Sequence, residues 1–423
     1  MLTRFIKDTR GNFALITALI GTAVIGVGGF GIETGLWYYL QNRSQSAADI
    51  SAHAGAVVLR NGGTADEAEA IARARLESLG YSATNGHTIT ISSPPTSGTF
   101  SGDAGALEVA LNYEIDRIVS ELFSSGKVEQ NIRSVAAAQP TGTSPCILAL
   151  NTTVGEAIDL QSGSRATLNG CTIASNSVAD NAVDLDTGSG FEGACIAAVG
   201  GIEVAGSSQT TLDCSTPLTN QAPVEDIYSD LMPPELPSSC DNINPPSGGR
   251  GNATVTVSTG ASGIRRVCDT SGNWSSIDIN FEPGIYIFDA ADFSFRNATI
   301  TGTDVTFIFR DRAQLDIDSG SRVSLAAPTS GDYSGILFYN DPASSAGSNH
   351  TFSGGSRTSI SGAFYFPEAS LTFDSGSRTE DDEACVQLIA DTVQLQGGSR
   401  LTADCEGSGL GTFDPPKQVR LVE

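Results

Sequence analysis

A short pattern recurs six times in the last two thirds of the chain and constrains the fold more than any other feature. Each copy has two apolar residues separated by one residue, then a turn that runs into Gly-Ser. The copies begin at Ile158, Val183, Leu315, His350, Leu371 and Val393. Neighbouring starts at 350, 371 and 393 differ by 21 and 22 residues. This strand–turn–strand period predicts a parallel β-solenoid, in which stacked rungs bury one continuous core.

The turn of one copy, "VDLDTGSG" at Val183 to Gly190, also reads like the catalytic loop of an aspartic protease. Such a protease brings two loops together so that two carboxylates share a proton. In other copies the position of Asp186 holds Gln161, Gln396 or Ser353, which do not replace a catalytic carboxylate. We therefore interpret Asp186 as a turn residue whose side chain bonds nearby backbone N–H groups.

Five of the six copies place an arginine directly after Gly-Ser. These residues are Arg165, Arg322, Arg357, Arg378 and Arg400. If the turns align, the arginines form a stacked row. The row is expected either to pair with neighbouring acids such as Asp318 and Asp374, or to bind an acidic glycan or the carboxylates of a partner.

Parallel β-solenoids also include enzymes that cleave polysaccharides, and such chemistry requires two or three acidic groups, or an acid and a base, in a groove. The candidates are Asp381 with Asp382, and Asp316 and Asp318 with Arg310 and Arg312. We find no Ser/His/Asp set and no phosphate-binding loop. The sequence therefore predicts no catalytic residue.

Eight cysteines follow residue 145, with no CxxC pair and no histidine at ligand spacing. We therefore predict neither a metal site nor a cofactor. An even number of cysteines in a chain with an export signal predicts disulfides in an oxidising compartment. We favour bonds between cysteines that are neighbours in the sequence. Cys171, Cys195 and Cys214 are separated in sequence by about the length of one predicted rung, so several pairings among them are possible. The full set is Cys146, Cys171, Cys195, Cys214, Cys240, Cys268, Cys385 and Cys405.

The N-terminal region carries a candidate membrane anchor. Phe13–Ile32 is a run of 20 uncharged residues, long enough to cross a bilayer as a helix, and Arg4, Lys7 and Arg10 precede it. The positive-inside rule puts the N-terminus in the cytoplasm and the bulk of the chain outside. The competing interpretation is a signal peptide cleaved near Ala23.

The segment after the apolar run predicts a pilin-like α+β domain. The first helix continues to Asn61, and Thr64 begins a second helix that closes at Gly80. Alternating strands follow from His87, Ala106 and Val128, with a short helix predicted in "EIDRIVSELF". The net charge of -25 argues against nucleic acid as a partner.

The helix "LQNRSQSAADISAHAGA" behind a Gly-rich apolar run resembles the N-terminal domain of TadG-type Flp (Tad, tight adherence) pilus assembly proteins. The residues that carry this resemblance are Leu40, Gln41, Asn42, Ala47, Ala48, Asp49, Ala52, Ala54, Gly55 and Ala56. The β repeats also resemble the extracellular region found behind that anchor. Prepilins of this system carry Glu five residues after the cleaved Gly, whereas Gly11 is followed there by Ile16, so we expect no processing.

This resemblance implies a non-enzymatic, minor pilin-like component of a bacterial Flp pilus involved in adherence. It implies a single-pass protein of the inner membrane, with its bulk periplasmic or at the cell surface. Its partners would be other pilins, the inner-membrane platform and the secretin. The alternative function is a surface-anchored β-solenoid that binds or cleaves an extracellular polysaccharide.

The predicted organisation has five parts. A cytoplasmic flank and transmembrane helix occupy 1–33, the pilin-like α+β domain occupies 34–138, and a linker occupies 139–145. The disulfide-containing solenoid occupies 146–415, with a loop excursion near 215–275, and 416–423 forms a tail.

Overall fold

Two units make up the chain in the computed structural model, which describes residues 10–243, 253–270, 274–318, 320–345, 347–353, 356–379, 385–404 and 410–423. One unit is Met1–Gln139 with Gln418–Glu423, and the other is Pro140–Lys417. Asp381, Asp382 and Cys405, which the sequence singled out, lie outside the described residues.

A single helix, α1 (Arg10–Arg60), forms the first half of the N-terminal unit. Its apolar part is exposed along its length, as at Ile25 and Val27. Its second part carries small residues that are buried against the rest of the unit, among them Ala48 and Ala52. The next helix, α2 (Ala65–Ser78), begins with the predicted Thr64 cap, in a capping box completed by Glu67.

An antiparallel sheet completes this unit. It consists of β1 (Thr88–Ser92), β2 (Ala106–Ile115) and β3 (Val128–Pro140). The strand Lys417–Leu421 adds to the edge of β3, where the sequence had predicted a tail. The short helix predicted in "EIDRIVSELF" does not form over its whole length, because β2 continues to pair with β3 as far as Ile115. Only the 3-10 turn Ser120–Leu122 is present in that segment.

The second unit is almost entirely strands. In chain order they are β4 (Pro145–Ala149), β5 (Ile158–Leu160), β6 (Arg165–Ser175), β7 (Val183–Leu185), β8 (Gly190–Ala198), β9 (Ile202–Val204), β10 (Gln209–Leu212), β11 (Asp241–Asn242), β12 (Ala253–Val257), β13 (Ile264–Asp269), β14 (Ile277–Phe281), β15 (Gly284–Asp289), β16 (Phe293–Arg296), β17 (Thr299–Gly302), β18 (Val305–Arg310), β19 (Leu315–Asp318), β20 (Arg322–Ala326), β21 (Ile336–Asn340), β22 (Asn349–Phe352), β23 (Arg357–Phe373), β24 (Arg378–Thr379), β25 (Val386–Leu395) and β26 (Arg400–Asp404). The C-terminal strand Lys417–Leu421 is then β27, and a short helix, α3 (Pro342–Ser345), follows β21.

All pairings between these described strands are parallel, in three series. One series runs β12-β14-β17-β20-β23-β24-β26-β6-β8-β10. A second runs β16-β19-β22-β23-β25-β5-β7-β9. The third runs β11-β13-β15-β18-β21-β23-β25-β4-β6-β8. A parallel, mostly-β region therefore follows the long apolar helix.

The spatial order of the strands differs from their order in the chain. Strand β25 pairs with β4 and β5, and β26 pairs with β6, so the first strands of the unit stack on its last ones. Residues 219–240 form no strand and cover one outer face. There the hydroxyl of Tyr339 donates to the carbonyl of Leu231 at 3.0 Å, and that of Tyr365 donates to Asp226 at 2.8 Å.

The region predicted as a loop excursion near 215–275 therefore has two parts. Residues 219–240 are the irregular segment, whereas β11, β12 and β13 belong to the parallel sheet. Apolar positions of the paired strands align in columns inside the unit. One column runs through Phe307, Phe338, Phe364, Leu388, Ile147 and Ile173, all fully buried.

Candidate functional site

The five arginines of the repeated turns lie in register on five neighbouring strands. Arg322 pairs with Arg357, Arg357 with Arg378, Arg378 with Arg400, and Arg400 with Arg165. Parallel strands are about 4.8 Å apart, so the row extends over about 19 Å. All five side chains are exposed. We call this set the arginine ladder; the sequence pattern brings together every residue that was predicted for it.

The turn before each arginine fixes the direction of its side chain. In four of the arginine-bearing copies a Ser N–H donates to the carbonyl three residues earlier, at 3.0 to 3.2 Å. The donors are Ser164, Ser356, Ser377 and Ser399. The glycine between donor and acceptor has a positive φ, as at Gly163 (83°) and Gly376 (79°). Because the serine points inward and is buried, alternation along the strand turns the next residue, the arginine, outward.

Three ladder arginines have no acidic partner among the described residues, unlike Arg266, Arg296 and Arg310 of the same unit. Arg322, Arg378 and Arg400 make no ion pair with any described residue, and Arg165 Nη2 donates to the neutral amide oxygen of Gln209 at 2.8 Å. Asp318, a predicted partner, accepts instead from Arg296 Nη2 at 2.7 Å. The carboxylate of Asp374, the other predicted partner, accepts from the backbone N–H of Ser375.

Asp186 sits at the first position of its turn, and its backbone carbonyl accepts from the N–H of Ser189 at 3.0 Å. Three acidic residues on the strands beside this turn were not predicted from the sequence. Asp159, Asp184 and Glu203 stack in register on β5, β7 and β9. Burial raises the pKa of Asp159 to about 6, and the charges of Glu156, Asp184 and Asp186 add to the effect. Aligning the repeats at "IDL", "VDL" and "IEV" would have revealed this stack.

Of the acids proposed for catalysis, Asp318 pairs with Arg296, and Arg310, a predicted base, pairs with another acid. Arg310 Nε pairs with the buried Asp341 at 2.8 Å, and Asp316 accepts only weakly from Ser294 at 3.4 Å. Burial and the charge of Asp318 raise the pKa of Asp316. No catalytic arrangement follows from these contacts.

A different carboxyl pair lies at the ends of β15 and β18, and nothing in the repeat pattern marked it. A hydrogen bond with Asp289, together with burial, raises the pKa of Asp311. Arg266 Nε donates to Asp289 at 2.7 Å, and Arg310 adjoins Asp311 in the chain. Because arginines border the pair, these contacts form a charge network that joins the ends of neighbouring strands.

Three disulfides join pairs of described cysteines. Cys146 bonds Cys171, Cys195 bonds Cys214 and Cys240 bonds Cys268, with Cα–Cα distances of 5.7, 5.4 and 5.8 Å. Each pair joins cysteines that are neighbours in the sequence, and Cys385 is also disulfide-bonded. Among the described residues, no group of three His, Cys, Asp or Glu side chains is placed to hold a metal ion.

The N-terminal unit shows why the helix motif has its composition. Gly55 lies so close to its neighbours that a Cβ would be 2.6 Å from the Leu107 side chain. Gln45 bridges Asp49, at 2.8 Å, and the carbonyl of Arg133, at 3.0 Å. The small residues of the motif therefore allow close contact of α1 with α2 and β2.

Residues 11–58 match the family model described as "Putative Flp pilus-assembly TadE/G-like". This TadE/G-like segment covers α1 up to its last turn and includes the whole motif on which the resemblance was based. The recognition of this family from the sequence is thereby confirmed. No curated protein and no solved structure matched the chain.

Among the described residues, the helix that contains the TadE/G-like segment is the only one long and apolar enough to cross a membrane. The helix and the family match together support a membrane-anchored protein. They also support involvement in Flp pilus assembly.

Proposed function

We propose that the chain is a membrane-anchored, minor pilin-like component of an Flp pilus assembly system, with no catalytic activity. The TadE/G-like match at residues 11–58 carries the proposal. In this proposal α1 crosses the inner membrane once, with its N-terminus in the cytoplasm. The parallel β unit is a β-solenoid that projects outward and presents its surface to other pilins, the platform or the secretin.

The division of α1 into two halves supports the anchoring part of the proposal. Ile25, Val27 and Ile32 each leave more than three quarters of their surface exposed, whereas Ala48 and Ala52 are fully buried. Each apolar side chain that stays exposed to water loses the stabilisation that burial would give, about 2 kcal/mol. A bilayer removes this cost, and the same division between lipid-facing and domain-facing halves is what a pilin-like helix requires.

A loop beside the end of the apolar run gives a second line of support. The Glu33 carboxylate accepts from the N–H groups of Ile118 at 2.6 Å and Ser120 at 2.7 Å, which holds this loop against α1. The loop exposes Ile118, Leu122 and Phe123, the last two by more than 80%. Apolar side chains at this level fit insertion into the outer face of the membrane, next to the helix.

Deletion and localisation in the native bacterium test the function. We expect the deletion strain to lose surface pili and adherence, and the full-length gene to restore both. The protein should stay with membranes under alkaline carbonate extraction, and immunogold labelling of sheared pili against membrane fractions will distinguish a fibre subunit from an assembly factor. Normal piliation of the deletion strain, or release of the protein by carbonate, contradicts the proposal.

The absence of catalysis has its own test. Full-length protein in a neutral detergent is incubated with a panel of neutral and acidic polysaccharides. We expect no new reducing ends and no unsaturated products. Turnover of any polysaccharide that is lost in Asp289→Asn or Asp311→Asn would establish an enzyme instead.

A further inference from the structure

The arginine ladder is a regular, linear array of positive charge on a chain with a net charge of -25. Like charges placed directly opposite each other on neighbouring strands destabilise a sheet. Here four consecutive pairings place arginine against arginine. Arg133, Arg266 and Arg310, in contrast, each form an ion pair with a carboxylate. Three of the five ladder arginines lack any such partner among the described residues, so the internal structure does not account for the array.

A row of hydroxyl groups runs beside the ladder on the same face. Two residues after each arginine, alternation returns the side chain to the outer surface. At this position Ser324 pairs with Ser359, and Thr402 pairs with Thr167. The corresponding residue after Arg378 is Glu380, which lies outside the described residues. At four of the five ladder positions the face therefore offers a hydroxyl beside a guanidinium group.

From this arrangement we propose that the arginine ladder binds a linear acidic polysaccharide of the polyuronate class, laid along the stack of strands. Each sugar of such a polymer carries one carboxylate and several hydroxyls. The carboxylates that face the ladder would then accept charge-assisted hydrogen bonds from its guanidinium groups. The hydroxyl row would contact the ring hydroxyls of the same sugars.

The hydroxyls beside the ladder favour this ligand over other polyanions. An extended acidic peptide can supply carboxylates, but it has no ring hydroxyls for Ser324, Ser359, Thr402 and Thr167 to contact. The phosphates of one strand of duplex DNA are about 3.4 Å apart along the axis. A lipid bilayer presents charge in two dimensions, whereas the ladder is one residue wide.

The strands also hold the ladder ready for binding. Every ladder arginine begins a strand, behind a turn whose serine is buried. Backbone positions therefore need no rearrangement, and only the arginine side chains lose freedom when the polymer binds. A site of this kind loses less entropy on binding than a flexible basic segment would.

Binding of full-length protein to polygalacturonate in neutral detergent tests the inference, with fully methyl-esterified pectin as the uncharged counterpart. The variant is Arg378→Gln with Arg400→Gln, at the centre of the ladder. Its matched control is Arg73→Gln with Arg75→Gln, which removes the same charge from exposed positions of α2. Circular dichroism confirms that both variants are folded.

We expect the ladder variant to bind about tenfold more weakly and the control to bind within about twofold of the wild type. Binding should weaken as salt is raised and should be absent with the esterified polymer. Equal losses in both variants, no binding by the wild type, or a preference for polyglutamate or phosphatidylglycerol vesicles would each overturn the inference. Since these measurements do not involve pili, their failure leaves the proposed role in pilus assembly intact, and the reverse also holds.

Discussion

Two regions of the parallel unit use the same strand pairing but fill their interiors with different side chains. In the N-terminal segment, residues 145–214, the buried residues are mainly isoleucine, leucine and alanine, with Phe191 as the only buried phenylalanine among the described residues. In the central segment, residues 277–373, phenylalanines fill the interior. They are Phe281, Phe288, Phe293, Phe295, Phe307, Phe309, Phe338, Phe352, Phe364, Phe366 and Phe373.

The two segments also differ in covalent links. Two disulfides, Cys146–Cys171 and Cys195–Cys214, fall in the N-terminal segment, while the central segment has none among its described residues. Large aromatic side chains bury more area and add ring–ring contacts, such as the stacked pair Phe352 and Phe373 at 5.1 Å. The comparison indicates that the same parallel strand pairing is stabilised by aromatic packing in one region and by disulfides in the other.

The largest expected effect comes from removing one ring of the central segment. Phe364→Ala should lower the free energy of unfolding by about 3–5 kcal/mol, because the ring is fully buried and leaves a cavity. Ile147→Val, in the same column of the N-terminal segment, should cost only about 1 kcal/mol. Urea titrations of both variants, followed by Trp274 fluorescence in a Trp37→Phe background, will measure the difference.

Equal costs for the two substitutions would mean that aromatic packing is not what distinguishes the central segment.

The next effect concerns the cross-links. Replacing Cys146 and Cys171 by serine should destabilise the N-terminal segment by about 3 kcal/mol, since the bond closes a loop of 25 residues in the unfolded chain. Hydrogen exchange should show lost protection in β4, β6 and β8, while β15 and β18 keep theirs. The reverse pattern, or a uniform loss, would contradict the comparison.

The ladder and its turns could be predicted from the sequence because one local pattern sets both. The pattern of apolar alternation, glycine turn, buried serine and arginine recurs, and identical turns must align when strands stack in parallel. The neighbour relation between Arg400 and Arg165 could not be predicted, since it depends on β26 meeting β6 across more than two hundred residues of chain. The same applies to Asp289 and Asp311, whose proximity follows from the pairing of β15 with β18.

A smaller effect is the dependence of stability on pH, which differs between the two segments. His350, in the central segment, accepts from the N–H of Leu315 at 3.1 Å, and burial lowers its pKa to about 3. The unfolded chain takes up this proton below about pH 6.5 but the folded chain does not, so stability should fall as the pH drops from 6.5 toward 3. The slope should be at most about 1.4 kcal/mol per pH unit, and His350→Asn should remove it.

An unchanged slope in the His350→Asn variant would show that other groups control stability in this range of pH.

The smallest effect has the opposite sign and lies in the N-terminal segment. The pKa of Asp159 is raised, so its charged form disfavours the folded state above pH 6, and this cost disappears as the pH falls toward 4. Asp159→Asn should raise stability by about 1 kcal/mol at pH 7, and the gain should vanish at pH 4. Thermal melts of Asp159→Asn and of the exposed control Asp180→Asn at both pH values will decide this.

A gain that persists at pH 4, or one shared by the control, would assign the effect to something other than the acidic stack.

The meeting of the first and last strands of the parallel unit has a consequence for biogenesis. Strand β4 cannot complete its pairing until β25 has been synthesised, so the first strands wait with one edge open while most of the unit is made. Folding cannot then proceed strand by strand from the N-terminus, and contacts of such long range form slowly. A nonsense mutation after residue 384 would remove β25 and β26 from one unit and β27 from the other. Loss of a short C-terminal piece is therefore expected to damage both units.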